Sequence, residues 1–99
     1  MTTFETVRIA AVQDTSVVLD AEATVDKAIG LVAAAADRGA KLVVCPECFV
    51  ALYPSGTWAA TATSWSGEYD ELWERMWASS VDVTGPLVGR LATACAERD

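Results

Sequence analysis

Two short apolar segments on either side of an amphipathic helix constrain the fold of this chain more than any other feature. Residues 7–12 and 41–45 are mostly apolar and do not alternate with polar residues, which is typical of strands covered on both faces of a parallel sheet. Between them, over residues 21–38, apolar side chains recur at helical spacing. This face consists of Val25, Ala28, Ile29, Val32 and Ala36. Strand, helix and strand with short connections predict a parallel, right-handed βαβ unit.

The ends of these elements also carry sequence signals. Asp20 is a suitable N-cap for the helix, and Glu22 is favourable in its first turn. Arg38 and Gly39 are typical of a helix C-terminus. Pro46 ends the second strand, because proline has no N–H to donate to a neighbouring strand.

The rest of the chain predicts a long loop and two helices. Residues 47–64 contain Pro54 and Gly56 and show no sustained period, and long loops in α/β domains are usually functional. The next segment is amphipathic at helical spacing. Its apolar face consists of Trp65, Tyr69, Leu72, Trp73, Met76 and Trp77. We expect these tryptophans to pack against the protein body or a partner subunit.

A last helix is predicted to begin at Pro86, a favoured first helical position. One side of it carries Leu87, Val88, Leu91 and Cys95. The fold class is therefore α/β, with the order βαβ, loop, α, α. Two parallel strands leave both sheet edges unpaired, so we expect the 99 residues to be the N-terminal part of a longer α/β protein.

Charge and composition exclude several classes of function. The 14 acidic and 7 basic residues give a net charge of −7, which opposes binding to nucleic acid or an anionic membrane surface. No apolar segment approaches the roughly 18 residues of a membrane span, and the N-terminus lacks the features of a secretory signal. Three cysteines are too few for a secreted disulfide framework. We therefore expect a cytoplasmic protein with reduced thiols.

Glu47 is the main candidate for chemistry because it follows the second strand, where open α/β sheets place their sites. The chain has no histidine, so acid or base catalysis must fall to a carboxylate or a lysine. Partial desolvation beside Cys45, Cys48 and Phe49 would raise the pKa of Glu47. From position alone, a structural glutamate that caps a helix or pairs with an arginine is equally open.

The segment Cys45-Pro46-Glu47-Cys48 also has the spacing of a redox dithiol or of half a zinc site. A zinc site is disfavoured because only Cys95 remains to complete it. A redox dithiol is disfavoured because Pro54 and Gly56 interrupt the chain soon after Cys48. We therefore favour two cysteines that pack as small apolar residues. If the chain stays extended past Pro46, Cys48 points away from Glu47. A nearby acidic group is predicted to form a solvated helix face rather than a cation site. It consists of Glu68, Asp70, Glu71 and Glu74.

Several segments together resemble the opening of the nitrilase superfamily of carbon-nitrogen hydrolases. They are residues 8–13, the helix from Asp20, residues 39–44 and Cys45-Pro46-Glu47-Cys48-Phe49. Tyr53-Pro54 with Trp58, Ser79-Ser80-Val81 and Gly85-Pro86 are similar to the nitrilase branch. The chain departs from the family at three positions, where Phe, a small residue and Gly are usual. These positions are Cys45, Cys48 and Leu52.

The resemblance implies an α-β-β-α sandwich, of which residues 1–99 form the N-terminal segment of a single domain. It also implies that Glu47 is the general base of a Glu-Lys-Cys triad and that Tyr53 and Trp58 help to shape the substrate pocket. In the family's reaction a cysteine thiolate attacks the nitrile carbon, a thioimidate forms, and water releases ammonia and then the acid. Neither Lys27 nor Lys41 matches the family's lysine, and no cysteine here matches its nucleophile.

The resemblance further implies a small-molecule nitrile or amide substrate, no metal or other cofactor, and a homo-oligomer. An aliphatic amidase of the same superfamily remains an alternative. So do a thiol-disulfide module that uses Cys45 and Cys48, and a non-catalytic segment that only associates with partner chains. We expect the 99-residue chain by itself to be inactive and not to behave as a well-packed monomer.

Overall fold

A computed structural model describes residues 2–52 and 70–98 of the chain, and these residues form two strands and three helices. In chain order the elements are β1 (Ile9–Ala11), α1 (Ala21–Asp37), β2 (Leu42–Val44), α2 (Asp70–Ala78) and α3 (Pro86–Arg98). The strands pair in parallel with Ile9 opposite Leu42 and Ala11 opposite Val44. The predicted α/β class and the parallel βαβ order are confirmed.

The ends of α1 follow the sequence signals. The Asp20 carboxylate accepts a hydrogen bond from the backbone N–H of Ala23 at 2.9 Å, which satisfies one of the free donors of the first turn. Arg38 is the C-cap, one residue after the helix ends. Gly39 follows at φ 86°, in the left-handed region where a side chain would be strained.

The small core of the described chain lies between α1 and α3. The two helices are in contact. On α1, Val25 is completely buried and Ala28 nearly so, and on α3, Ala94 is buried. Ion pairs join Asp26 to Arg90 near the N-terminal ends and Asp37 to Arg98 near the C-terminal ends. The two helices therefore run side by side in the same direction.

Cys95 does not lie on the buried side of α3, as its spacing predicted. It is exposed, and the neighbouring Ala94 is buried instead. Neighbouring residues on a helix point about 100° apart. Ala94 is on the buried side of α3, so Cys95 points about 100° away from that side and is exposed. Leu87, Val88 and Leu91 are partly buried, which agrees with the prediction.

One face of the two-stranded sheet is uncovered. Ile9, Leu42 and Val44 are 58%, 51% and 50% exposed, respectively, and the parallel register places all three on the same face. Ala10 and Val43 point to the opposite face and are partly buried. The prediction of strands covered on both faces is therefore wrong for this chain, because the described residues include nothing that packs on the outer face.

The second helix, α2, is described from Asp70 onward, whereas the amphipathic pattern begins at Trp65. Trp65, Tyr69 and Glu68 lie outside the described residues. Leu72 and Met76 are partly buried, but Trp73 is 45% and Trp77 72% exposed. These two tryptophans are therefore not buried against the protein body, and their packing against a partner subunit stays a prediction.

Glu71 and Glu74 are exposed, as a solvated helix face requires. None of the described helices is long and apolar enough to cross a membrane.

Candidate active site

The carboxyl ends of the two strands lie side by side and bring two connecting segments together. The backbone N–H of Val12 donates to the carbonyl of Val44 at 2.8 Å, so the pairing continues one residue past β1. The β1–α1 loop, residues 12–20, and the segment after β2 therefore leave the sheet at the same edge. Open α/β sheets bind their ligands at this edge, and Glu47 stands here, three residues past β2.

Glu47 begins a turn that spans residues 47–51. Cys48 has φ 54° and Leu52, just after the turn, has φ 73°, and both values lie in the left-handed region that costs a non-glycine residue energy. The chain therefore turns directly after Glu47 and does not stay extended past Pro46, which was the condition for Cys48 to point away from Glu47. The Phe49 side chain is 93% buried, since only 7% of it is exposed, and it anchors the turn.

The Glu47 side chain is exposed. The partial desolvation expected from its neighbours is therefore not present in this chain, because Cys48 is exposed and Cys45 only partly buried. Among residues 2–52 and 70–98, the side chain of Glu47 has neither a hydrogen-bond partner nor an arginine partner. The described structure thus gives no support to the alternative that Glu47 is a helix cap or half of an ion pair.

Side chains of the β1–α1 loop contact both α1 and the Glu47 turn. The Lys27 ammonium pairs with the Asp14 carboxylate at 2.8 Å and donates to the Thr15 carbonyl at 2.6 Å. The hydrogen bond from Lys27, followed by the backbone N–H of Thr15, lowers the pKa of Asp14 below its usual value. The Ser16 hydroxyl donates to the backbone carbonyl of Phe49.

These contacts leave only a weak sequence signal. Residues 14–16 are polar and lie shortly after β1, so they are candidates to lie at the same end of the sheet as Glu47. The partner of the Ser16 hydroxyl is a backbone carbonyl 33 residues away, and no side-chain pattern reports such a contact.

The environment of the cysteines gives no support to the redox-dithiol alternative. All three are free thiols, and Cys48 and Cys95 are exposed. Burial raises the pKa of the Cys45 thiol, which lowers the thiolate fraction that redox chemistry needs. Cys48 lies inside a turn, whereas a redox dithiol usually stands at the N-terminus of a helix.

In the described part of the chain, no group of three or more Cys, Asp and Glu residues could hold a metal ion. A groove of about 530 Å³ lies between β1 and α1, where Arg8, Leu31 and Arg38 are among its lining residues. Glu47 does not line it. The predicted pocket residues Tyr53 and Trp58 lie outside the described residues.

Comparisons with known proteins show which family this sequence belongs to. The sequence model of the carbon-nitrogen hydrolase family matches residues 8–99. The chain belongs to the carbon-nitrogen hydrolase family. The match covers every described element, from β1 to α3.

Relatives of this carbon-nitrogen hydrolase chain include plant and bacterial nitrilases. The chain is 43% identical over 88 residues to the bifunctional nitrilase/nitrile hydratase NIT4B of Nicotiana tabacum, covering 88% of this chain and 25% of that protein. It is 43% identical over 89 residues to nitrilase 3 of Arabidopsis thaliana, with the same two shares. It is 36% identical over 94 residues to a nitrilase of Bacillus sp. (strain OxB-1), covering 95% of this chain and 26% of that protein.

The chain thus spans about a quarter of the length of the curated relatives it matches. No solved structure gives a significant match to it.

Proposed function

We propose that this chain, residues 1–99, is the N-terminal segment of a single nitrilase domain, and that the full-length protein hydrolyses a small nitrile to a carboxylic acid and ammonia. The observation that carries the proposal is the 36–43% identity to proteins named nitrilases across 88% or more of this chain. The full-length protein here means the longer polypeptide of which the chain would be a part.

In this proposal Glu47 is the general base. Its carboxylate takes the proton from a cysteine thiol supplied by the rest of the polypeptide, and the thiolate attacks the nitrile carbon to give a thioimidate. Water adds to the thioimidate carbon and ammonia leaves, which gives a thioester. A second water then releases the acid and returns the thiol. A carboxylate can activate a thiol directly when the two groups are within hydrogen-bond reach, and this chain has no histidine to do so.

The position of Glu47 supports this role in two ways. It lies at the carboxyl edge of the sheet, and no partner among the described residues holds its carboxylate. Exposure in this chain leaves the carboxylate accessible to a nucleophile from another segment. The desolvation that tunes such a base would then come from the residues that pack over this edge.

The proposal also includes a substrate pocket shaped by Tyr53 and Trp58, a homo-oligomer and a cytoplasmic location. Three unpaired thiols, two of them exposed, support a reducing compartment. A small neutral nitrile as substrate needs no basic surface, which fits the net charge of −7.

A second product is supported by one specific observation. Two of the tobacco relatives are named bifunctional nitrilase/nitrile hydratase. After water adds to the thioimidate carbon, part of the resulting adduct would expel the cysteine thiolate rather than ammonia and give the amide. The names of these relatives give no such support to the amidase alternative.

Product analysis tests the proposal. The full-length protein is incubated with a panel of aliphatic and aryl nitriles, and ammonia, acid and amide are quantified over time. We expect equal amounts of ammonia and acid, with or without a fraction of amide. Turnover of amides but not of nitriles would replace the proposal with the amidase alternative, and turnover of neither would reject both.

A further inference from the structure

The Glu47 turn is tied to the β1–α1 loop by one serine. The Ser16 hydroxyl donates to the carbonyl of Phe49, which lies two residues after Glu47. Between the described residues of this loop and residues 47–51, it is the one side-chain hydrogen bond that joins the two segments. The position of the turn relative to the loop therefore depends on Ser16 and on the buried Phe49 ring.

The loop that carries Ser16 is itself held firmly by α1. Thr24 is completely buried, and its hydroxyl accepts from the backbone N–H of Val17 at 3.0 Å and lies 3.0 Å from the carbonyl of the same residue. Lys27 fixes Thr15 through the carbonyl and Asp14 through the carboxylate. Residues on both sides of Ser16 are thus anchored to α1, so Ser16 connects the turn to a rigid support.

The turn needs such a support because its backbone is strained. Cys48 adopts φ 54° without being glycine, and a conformation of this kind persists only where its surroundings hold it. Loss of the Ser16 bond would free the Phe49 carbonyl and let Cys48 relax toward an ordinary backbone conformation. Glu47 is the immediate neighbour of Cys48, so its carboxylate would move with that change.

We propose that Ser16 is a positioning residue for Glu47: it holds the turn in the conformation that places the carboxylate for proton transfer. This inference rests on the proposed function of Glu47. In it, Ser16 acts on Glu47 indirectly, through the hydrogen bond to the Phe49 carbonyl.

The test compares Ser16→Ala and Ser16→Thr with the unchanged full-length protein. Amide hydrogen exchange of residues 47–51 should become about 3- to 10-fold faster in Ser16→Ala, the change that corresponds to one typical intramolecular hydrogen bond. The kcat for nitrile hydrolysis should fall by about the same factor, while KM stays within about twofold. Ser16→Thr keeps the hydroxyl and should restore both quantities to within about twofold.

Ser80→Ala is the matched control, because the Ser80 hydroxyl also bonds a backbone carbonyl, that of Met76, but at the exposed end of α2. It should change neither quantity.

Unchanged exchange in Ser16→Ala, faster exchange with an unchanged kcat, or no recovery in Ser16→Thr would each overturn the inference while leaving the proposed function intact. An unchanged protein that hydrolyses no nitrile would instead overturn the proposed function, and with it the role of Ser16.

Discussion

Substitution of Leu42 by alanine should have a small effect in the 99-residue chain and a large one in the full-length protein. Leu42 lies on the uncovered face of the sheet and is 51% exposed. Full burial of a leucine side chain stabilises a protein by about 1.5–3 kcal/mol. The half that is buried here is therefore worth about 0.7–1.5 kcal/mol, and the upper end of this range is the most that Leu42→Ala should remove from the isolated chain.

In an α-β-β-α sandwich this face is covered by a second layer, and Leu42 becomes a core residue. Large-to-small substitutions of core leucines cost about 2–5 kcal/mol because they also leave a cavity. We therefore expect Leu42→Ala to lower the free energy of unfolding of the full-length protein by at least about 2 kcal/mol. Urea titration followed by circular dichroism measures this change through the transition midpoint and slope.

The isolated chain provides the second half of the test. Its exposed Ile9, Leu42 and Val44 should drive self-association, and sedimentation velocity should show a lower average mass for Leu42→Ala than for the unchanged chain. Val25→Ala is the control, because Val25 is already fully buried in this chain and its substitution should cost a similar amount in both settings. A cost of Leu42→Ala in the full-length protein below about 1 kcal/mol would refute the covered-face argument.

Two further predictions concern charge and thiols. Lys27→Met removes the hydrogen bond that holds the pKa of Asp14 below its ordinary value of 3.8, so a carboxyl NMR titration should show this pKa rise. The stability that the pair contributes is present above pH 3.8 and is lost as the pH falls below it. An unchanged pKa of Asp14 in Lys27→Met would contradict this assignment. Cys45→Ala combined with Cys48→Ser should leave nitrile turnover within a few-fold of normal, because neither thiol is the proposed nucleophile; complete inactivity of the stably folded double variant would instead support the dithiol alternative.

The elements that local sequence determines were predictable. Asp20, Glu22 and Gly39 act within one or two turns of α1, so their roles follow from the order of residues alone. Pro86 likewise begins α3 as its fixed φ predicts. The parallel pairing of β1 with β2 follows from the length of the connection, which is too long for a hairpin and contains a helix.

The features that depend on distant packing were not predictable in the same way. Apolar composition predicted buried strands, but composition does not say whether the covering layer lies within these residues, and the outer face of Ile9 and Leu42 is open. The exposure of Cys95 depends on the exact rotation of α3 against α1, which a helical period fixes only to within one residue.

The same distinction between local sequence signals and distant contacts applies to the candidate site. Glu47 could be identified because a strand end and a family resemblance both point to it. The hydrogen bond from Ser16 could not be predicted, because its partner is a backbone carbonyl. The left-handed conformation of Cys48 could not be predicted either, because residues other than glycine rarely adopt it. Both features lie within two residues of Glu47, so the candidate residue could be named from the sequence while the backbone geometry around it could not.

The most direct test of the central claim is the steady-state rate of nitrile hydrolysis by Glu47→Gln in the full-length protein. Glutamine keeps the shape of the side chain and removes the base, so kcat should fall by about 10² to 10⁴-fold, with an unchanged urea midpoint. Glu22→Gln, an exposed glutamate in the first turn of α1, is the matched control and should retain the normal rate. A folded Glu47→Gln protein that turns over nitriles at a near-normal rate would show that Glu47 is not the general base.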